Sequence, residues 1–221
     1  MSPGPTDALR SYGRIRGRAL RPGRASLLDD LLPKISLDVS HPIELPPGPV
    51  WLELGFGAGE HLAAQATAHP DVLLLGAEPF LNGVASALRH IHDQDIGNVR
   101  LHPGDGRELL QALPDASLER VFVLFPDPWP KLRHHKRRLI NPAVIAELAR
   151  VMKRGAGLRF ATDWADYLGW TLERMQASRA FTWTAERADD WRRPPADHIG
   201  TRYEEKRLGD CAPTFLEFRR L

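Results

Sequence analysis

The sequence predicts an α/β protein built on a doubly wound, mostly parallel sheet of seven strands with an antiparallel hairpin at one edge. Three observations predict it. Short apolar runs at 50–54, 72–78, 99–102, 121–124 and 158–162 alternate with stretches of helical periodicity, the pattern of repeated strand-helix units. The run VLLLGAE at 72–78 is almost continuously apolar, as strands covered on both faces of a parallel sheet are. The last two strands, 181–184 and 214–219, come without a full helix between them, so an antiparallel pair is expected there.

Taken in order, residues 1–25 form a Gly-, Pro- and Arg-rich arm with little apolar periodicity, expected to be flexible and to bind RNA or remain a solvated tail. Residues 26–221 are expected to form one domain. A short helix is predicted from about Ala25, with Leu27, Leu28, Leu31 and Leu32 on one face and Pro33 as its stop. Pro42, Pro46, Pro47 and Pro49 mark a linker. Helices are predicted from Glu60, over 82–91 and over 107–112, each after a strand. Pro142 opens another helix, running to about Lys153 and ended by Gly155 and Gly157, and a further helix spans 164–178. Trp51, Trp164, Trp170 and Trp183 fall at apolar positions and read as core.

Charge is distributed unevenly although the chain of 221 residues carries a formal net charge of only +2. Arg10, Arg14, Arg16, Arg18, Arg21 and Arg24 crowd the arm, and residues 131–138 form a second cluster. Such clustering points to a polyanionic partner. The single Cys211 excludes an intrachain disulfide, and adjacent His134 and His135 have no nearby ligand set, so no metal is expected. No apolar run approaches the roughly 18 residues of a membrane span, and the start lacks a signal-peptide apolar region. A cytoplasmic protein without membrane contact, monomeric or weakly homodimeric, is expected.

The most distinctive stretch is FPDPWPKLRHHKRR at 125–138. Pro126, Pro128 and Pro130 forbid a helix, so the fourth strand must leave the sheet as a stiff loop carrying Asp127, Trp129 and Lys131. Arg133, His134, His135, Lys136, Arg137 and Arg138 follow at once, so a carboxylate adjoins a cationic surface. Trp129 either stacks on a base or packs the loop against the body.

ELGFGAG at 53–59 lies at the first strand-to-helix turn, where open α/β sheets bind nucleotide-like ligands. Gly55, Gly57 and Gly59 either let a ligand approach the backbone or merely make a tight turn. Glu78, ending the second strand, is placed to accept ribose hydroxyls. Glu53 and Asp105 favour the sulfonium cofactor S-adenosyl-L-methionine over NAD, because carboxylates attract its positive charges and repel a pyrophosphate. Asp105 has an alternative reading as the cap of the helix at Arg107. Asp163 reads either as the cap of the helix after it or as an acceptor for a base edge, and Glu204 as a second such acceptor.

Together, ELGFGAG, Glu78, FPDPWPK with RHHKRR, Thr162-Asp163 and the TRYE run at 201–204 resemble the bacterial tRNA (guanine-N7)-methyltransferase family, in order from about residue 50 to the C-terminus. The resemblance implies a Rossmann-like class I methyltransferase domain that transfers a methyl group from S-adenosyl-L-methionine to N7 of a guanine in the tRNA variable loop, position 46. It implies that Asp127 is catalytic and that Glu53, Gly55, Gly57, Gly59, Glu78, Asp105 and Asp127 face the cofactor. Lys131, Asp163, Thr201, Arg202, Tyr203 and Glu204 would hold the nucleotide, and residues 133–138 the RNA. Two positions depart from the family: Gly106 stands where Ala is more usual, and His198 where Arg is. A dehydrogenase is disfavoured by GxGxG in place of GxGxxG, and a non-catalytic RNA binder by carboxylates at every expected cofactor position.

Overall fold

Five parallel strands carry the site at their C-terminal ends. The computed structural model describes residues 12–13, 15–206 and 208–221, with only the backbone of Arg202. Arg10 and Arg14 lie outside the described residues. In order, the elements are α1 (Pro22–Asp30), α2 (Leu32–Ile35), β1 (Val50–Leu54), α3 (Glu60–Ala68), β2 (Leu73–Ala77), α4 (Leu81–Asp93), β3 (Val99–His102), α5 (Gly106–Ala112) and β4 (Leu118–Leu124). A 3₁₀ turn (Leu132–Arg137) then leads to α6 (Pro142–Val151), β5 (Met152–Thr162), α7 (Ala165–Ala177), β6 (Phe181–Trp183), α8 (Asp189–Arg192), α9 (Arg202–Glu205) and β7 (Thr214–Arg220).

The strands form one sheet in the order β3-β2-β1-β4-β5-β7-β6, parallel except for β7, which pairs antiparallel with both β5 and β6. The order of strands along the sheet reverses between the parallel neighbours β1 and β4, paired from Trp51↔Arg120 to Glu53↔Phe122, which is the switch point where such sheets open a crevice.

Alternation along the strands gives the faces different chemistry. Leu52, Leu54, Val121, Val123, Leu158, Phe160, Leu216 and Phe218 join Leu109, Leu148 and Tyr167 in an apolar core. The opposite face carries a charged layer of Glu53, Arg120, Arg159 and Glu217 among the rings of Trp51 and Phe122. The four tryptophans read as core are partly buried and pack against the apolar clusters.

Three boundaries differ from expectation for local reasons. Pro22 takes the first turn of α1, three residues before the predicted start, and Pro33 opens α2 where a stop was expected, since proline's missing donor costs nothing in a helix's first turn. Gly155 and Gly157 do not end a helix: β5 already begins at Met152 and both lie within it. Gly155 has φ 83°, and the pairing jumps from Leu118↔Met152 to Arg120↔Gly157, so the glycines form an irregularity in the strand. The arm is also not detached over its described part. Ile15 O accepts from Leu81 N at 2.9 Å, and Asn82 takes Gly17 N on Oδ1 at 2.7 Å while its Nδ2 donates to Arg18 O at 2.8 Å.

Candidate active site

The first wall is the turn after β1. Gly57, at φ 57°, and Gly59, at φ 84°, adopt backbone that side chains strongly disfavour, and Gly57 N donates to Glu78 Oε2 at 2.8 Å. A Cβ added at Gly55 or Gly57 would meet no heavy atom within 4 Å, so these two glycines border open space. Gly83 of α4 is tight by contrast: its Cβ would lie 2.3 Å from Gly57 O. The helix therefore packs directly on the turn.

Glu78 ends β2 with both oxygens held, Oε2 by Gly57 N and Oε1 by Phe80 N at 2.9 Å. Burial pushes its carboxyl up to about 6, against the pull of those two hydrogen bonds and with help from the nearby charges of Asp127 and Glu53. A dehydrated carboxylate with lone pairs remaining suits a ligand that brings its own hydroxyl donors. Together with the open space over Gly55 and Gly57, this acceptor fits the ribose end of S-adenosyl-L-methionine.

Two of the other three acids expected at the cofactor, Glu53 and Asp105, are engaged inside the protein. Glu53 is 3% exposed and pairs through Oε2 with His61 Nδ1 at 2.8 Å. Asp105 caps α5, accepting Arg107 N at 3.0 Å, Nε at 3.0 Å and Nη2 at 2.6 Å. Burial would raise its carboxyl, but the bonds from Arg107 outweigh that and hold it below the usual range.

The second wall is the proline loop after β4. Phe125, with φ 49°, and Trp129, with φ 45°, bracket Asp127 in a backbone region costly to side-chain-bearing residues. The first bend is fixed because Phe125 N donates to Ala161 O at 2.8 Å and its ring sits 5.7 Å from Tyr203 and 6.3 Å from Phe215. Asp127 opens to solvent, yet the protein around it dehydrates its carboxyl enough to raise its pKa. Its charge is felt by both Glu78 of the first wall and Tyr203 of the segment after β6.

The third wall comes from the end of β5 and the long segment 184–213. Asp163 is 4% exposed, and its Oδ1 has no hydrogen-bond partner in the protein. It does not cap α7: Thr162 Oγ1 takes Trp164 N at 3.2 Å and Asp210 Oδ1 takes Ala165 N at 2.8 Å. Burial raises the Asp163 carboxyl. Glu204 behaves differently from expectation. It closes a capping box with Thr201, whose N donates to Oε1 at 3.0 Å, and Oε2 bonds His198 Nε2 at 2.8 Å. Burial acts to raise its pKa, but these bonds lower it on balance. The side chain of Arg202 lies outside the described residues.

In the cationic segment, Lys131, Arg133 and Lys136 are exposed. Dehydration, with the charges of Arg137, Arg133, Lys131 and Lys136, holds His134 below its usual pKa. Arg137 lies over the rings of Tyr12 at 4.6 Å and Trp129 at 4.9 Å, so the arm reaches this loop. His135 packs edge-on against Trp170 at 5.3 Å. Arg138 departs from its expected role at the RNA: it is 1% exposed, donates from Nε to Pro128 O at 2.9 Å and pairs with Asp166. Its guanidinium lies 4.9 Å from both Tyr167 and Trp170. A residue adjoining a basic run looks exposed in sequence, and only the following buried Ile140 hints otherwise.

Sequence reasoning missed Tyr12, His61, Arg120, Arg159 and Asp197, none of which stands in a local motif. Among the described residues, no group of three His, Cys, Asp or Glu side chains is placed to hold a metal, and no helix is long and apolar enough to cross a membrane.

A glycine turn after the first strand, a ribose-type acid ending the second and an acid-bearing loop after the fourth, around the switch point, define a class I methyltransferase. A solved rRNA methylase from Streptococcus thermophilus shares the fold, with TM-score 0.54 and 13% identity over 93% of this chain and 99% of that one. A family model described as "Putative methyltransferase" matches residues 47–210. The tRNA (guanine-N(7)-)-methyltransferase of Caulobacter sp. strain K31 is 57% identical over 98% of this chain and 97% of its own. That of Rhodospirillum rubrum is 49% identical over 98% and 89%. The chain belongs to the tRNA (guanine-N(7)-)-methyltransferase family and is an enzyme.

Proposed function

We propose that the groove between the β1 and β4 loops transfers a methyl group from S-adenosyl-L-methionine to N7 of a guanine in the variable loop of tRNA, at position 46. The observation that supports this reading is that the charge of Asp127 acts on both Glu78, on the cofactor side, and Tyr203, beside Asp163 with its unpartnered Oδ1. Glu78 and the turn of Gly55, Gly57 and Gly59 hold the cofactor's ribose and amino-acid end, while Glu53 and Asp105 brace that wall from within. When bound, the cofactor supplies an electrophilic methyl group on a sulfonium.

Guanine N7 presents an in-plane lone pair, so Asp127 has no proton to remove. It orients the base and stabilises the positive charge that grows on the purine. Alignment supplies the larger share of the rate, since well-oriented reactants gain roughly 7–11 kcal/mol. Asp163, whose buried Oδ1 has no protein partner, accepts the N1–H and N2–H donors of guanine, a donor pair that adenine lacks. Lys131 and the turn from Thr201 to Glu204, with Arg202 and Tyr203, line the base pocket. Arg133, His134, Lys136 and Arg137, with the arm, meet tRNA phosphates. The enzyme works in the cytoplasm as a monomer or weak homodimer.

Incubation of unmodified tRNA with labelled cofactor, followed by borohydride and aniline cleavage, tests this directly. A single cut at position 46 is expected. Cofactor binding without methyl incorporation into tRNA would overturn the reading.

A further inference from the structure

The charged layer on the second face of the sheet converges on one loop residue. Arg159, with its side chain 3% exposed, pairs through Nε with Glu217 and through Nη2 with Asp197 Oδ1 at 2.8 Å. Arg120 reaches the other oxygen of Asp197 from the neighbouring strand, Nη2 to Oδ2 at 2.8 Å. The two guanidinium groups also lie over the ring of Phe122, at 4.8 Å for Arg120 and 5.6 Å for Arg159. A third attachment comes from α3, where Gln65 Nε2 donates to Asp197 O at 3.1 Å.

Ion pairs on a buried guanidinium such as that of Arg159 stabilise folds weakly for what its dehydration costs, and their better-attested use is to fix one register among alternatives. The register at stake is that of segment 184–213, which among its described residues has only two four-residue helices, α8 and α9, to shape it. The next residue after Asp197, His198, holds Glu204 at 2.8 Å and packs on Phe215 at 4.7 Å. Glu204 in turn closes the Thr201 turn beside Tyr203 and Asp163.

We propose that Asp197, clamped by Arg120 and Arg159, is a positioning residue for methyl transfer: it sets His198 and Glu204, and through them the wall that holds the guanine. The proposal rests on the reading of that wall as the base pocket. His198, which follows Asp197 in the chain and holds Glu204, is the element through which the clamp acts. Phosphate binding by the cationic segment and cofactor binding at Glu78 do not depend on the clamp.

The test compares wild type, Asp197→Ala, Arg120→Met, Glu204→Gln and the Asp197→Ala/Glu204→Gln double variant, all full-length, by single-turnover methylation of unmodified tRNA. S-adenosylhomocysteine affinity, tRNA affinity and thermal melting are read in parallel. Expected for Asp197→Ala is a loss of tenfold or more in the methyl-transfer rate with both affinities within about threefold. Arg120→Met, which keeps the Arg159 pair, shows a smaller loss in the same direction and decides the matter if Asp197→Ala does not fold. The double variant is no slower than the slower single variant, because groups acting as one unit are non-additive.

Wild-type rates in both clamp variants would overturn the proposal. So would multiplied losses in the double variant, or cofactor affinity falling in step with rate, since either marks a general structural effect. Failure of wild type itself to methylate tRNA guanine would instead refute the functional reading on which the proposal rests.

Discussion

Arg138 Nε donates to Pro128 O at 2.9 Å, tying the last residue of the basic run to the backbone one residue beyond Asp127. The same guanidinium is sealed between Tyr167 and Trp170 and paired with Asp166. One arginine thus anchors the strained loop while its neighbours face outward. Asp166 is largely exposed, so removing Arg138 strands no buried carboxylate, yet it leaves Pro128 O without its donor. Arg138→Met is expected to lower stability by about 1–3 kcal/mol. A urea titration measures this, and an unchanged midpoint would show that the anchor contributes nothing.

The outward members of the run should behave differently. Arg133 and Lys136 are exposed, and removing a side chain that neutralises one phosphate reduces the dependence of log affinity on log salt by about 0.7–0.9. Arg133→Ala and Lys136→Ala are therefore expected to weaken tRNA binding, each flattening its salt dependence by about that amount. S-adenosylhomocysteine affinity should stay unchanged. Filter binding across a salt series reads both, and an equal loss of cofactor affinity would assign these residues to structure.

Glu78 gives the clearest pH dependence. Its carboxyl, pushed up to about 6 by burial, binds more protons folded than unfolded between its ordinary value near 4.5 and about 6. Stability therefore falls as pH rises through that window, by about 2 kcal/mol at most for this group. Cofactor affinity should move oppositely, because ribose hydroxyls need the ionised carboxylate as acceptor. Calorimetric titration with S-adenosylhomocysteine is expected to show affinity dropping below about pH 6, and Glu78→Gln should bind weakly and lose that dependence. The same pH profile in Glu78→Gln would assign it to another group.

Legibility in the sequence tracked the range of the interactions involved. All seven strands could be read because their apolar runs are local, and Glu78 and Asp127 because strand ends and proline spacing are local too. The start of β5 could not be read: Gly155 and Gly157 signal a break, and only pairing with β4 absorbs them into a strand. Asp105 and Glu204 carry the right charge at the expected places, but their partners Arg107, His198 and Thr201 decide where the carboxylates point. Arg138 shows the limit most plainly, since its burial depends on Tyr167 and Trp170 of α7, a helix that the local sequence around Arg138 does not encode.

Asp127 should separate binding from chemistry. It touches the groove without being needed to hold the glycine turn, so Asp127→Ala is expected to leave S-adenosylhomocysteine affinity within about threefold. Loss of one preorganised charge at a reacting centre typically costs about 10²–10³ in rate, and a drop of that order is expected in single-turnover methyl transfer. An isosteric Asp127→Asn should recover part of the rate if orientation matters as well as charge. Equal rates in wild type and Asp127→Ala would remove the residue from catalysis.

Gly83 offers a test of the cofactor wall that leaves every charge in place. A methyl group at this position would meet Gly57 O at 2.3 Å, and that oxygen belongs to the turn whose N–H holds Glu78. Relief requires α4 or the turn to move, because backbone on both sides leaves no flexible side chain to yield. Overpacking of this kind typically costs about 1–3 kcal/mol. Gly83→Ala is accordingly expected to lower stability by that amount and to weaken S-adenosylhomocysteine binding, since displacement of Gly57 breaks the bond that orients Glu78. Residues on the RNA side do not touch this contact, so tRNA affinity should hold. Gly169, whose added Cβ would meet nothing within 4 Å, supplies the control: Gly169→Ala lies inside α7 and should leave cofactor binding unchanged. Equal cofactor affinity in Gly83→Ala and wild type would show that the turn tolerates displacement and that Glu78 keeps its orientation without Gly57.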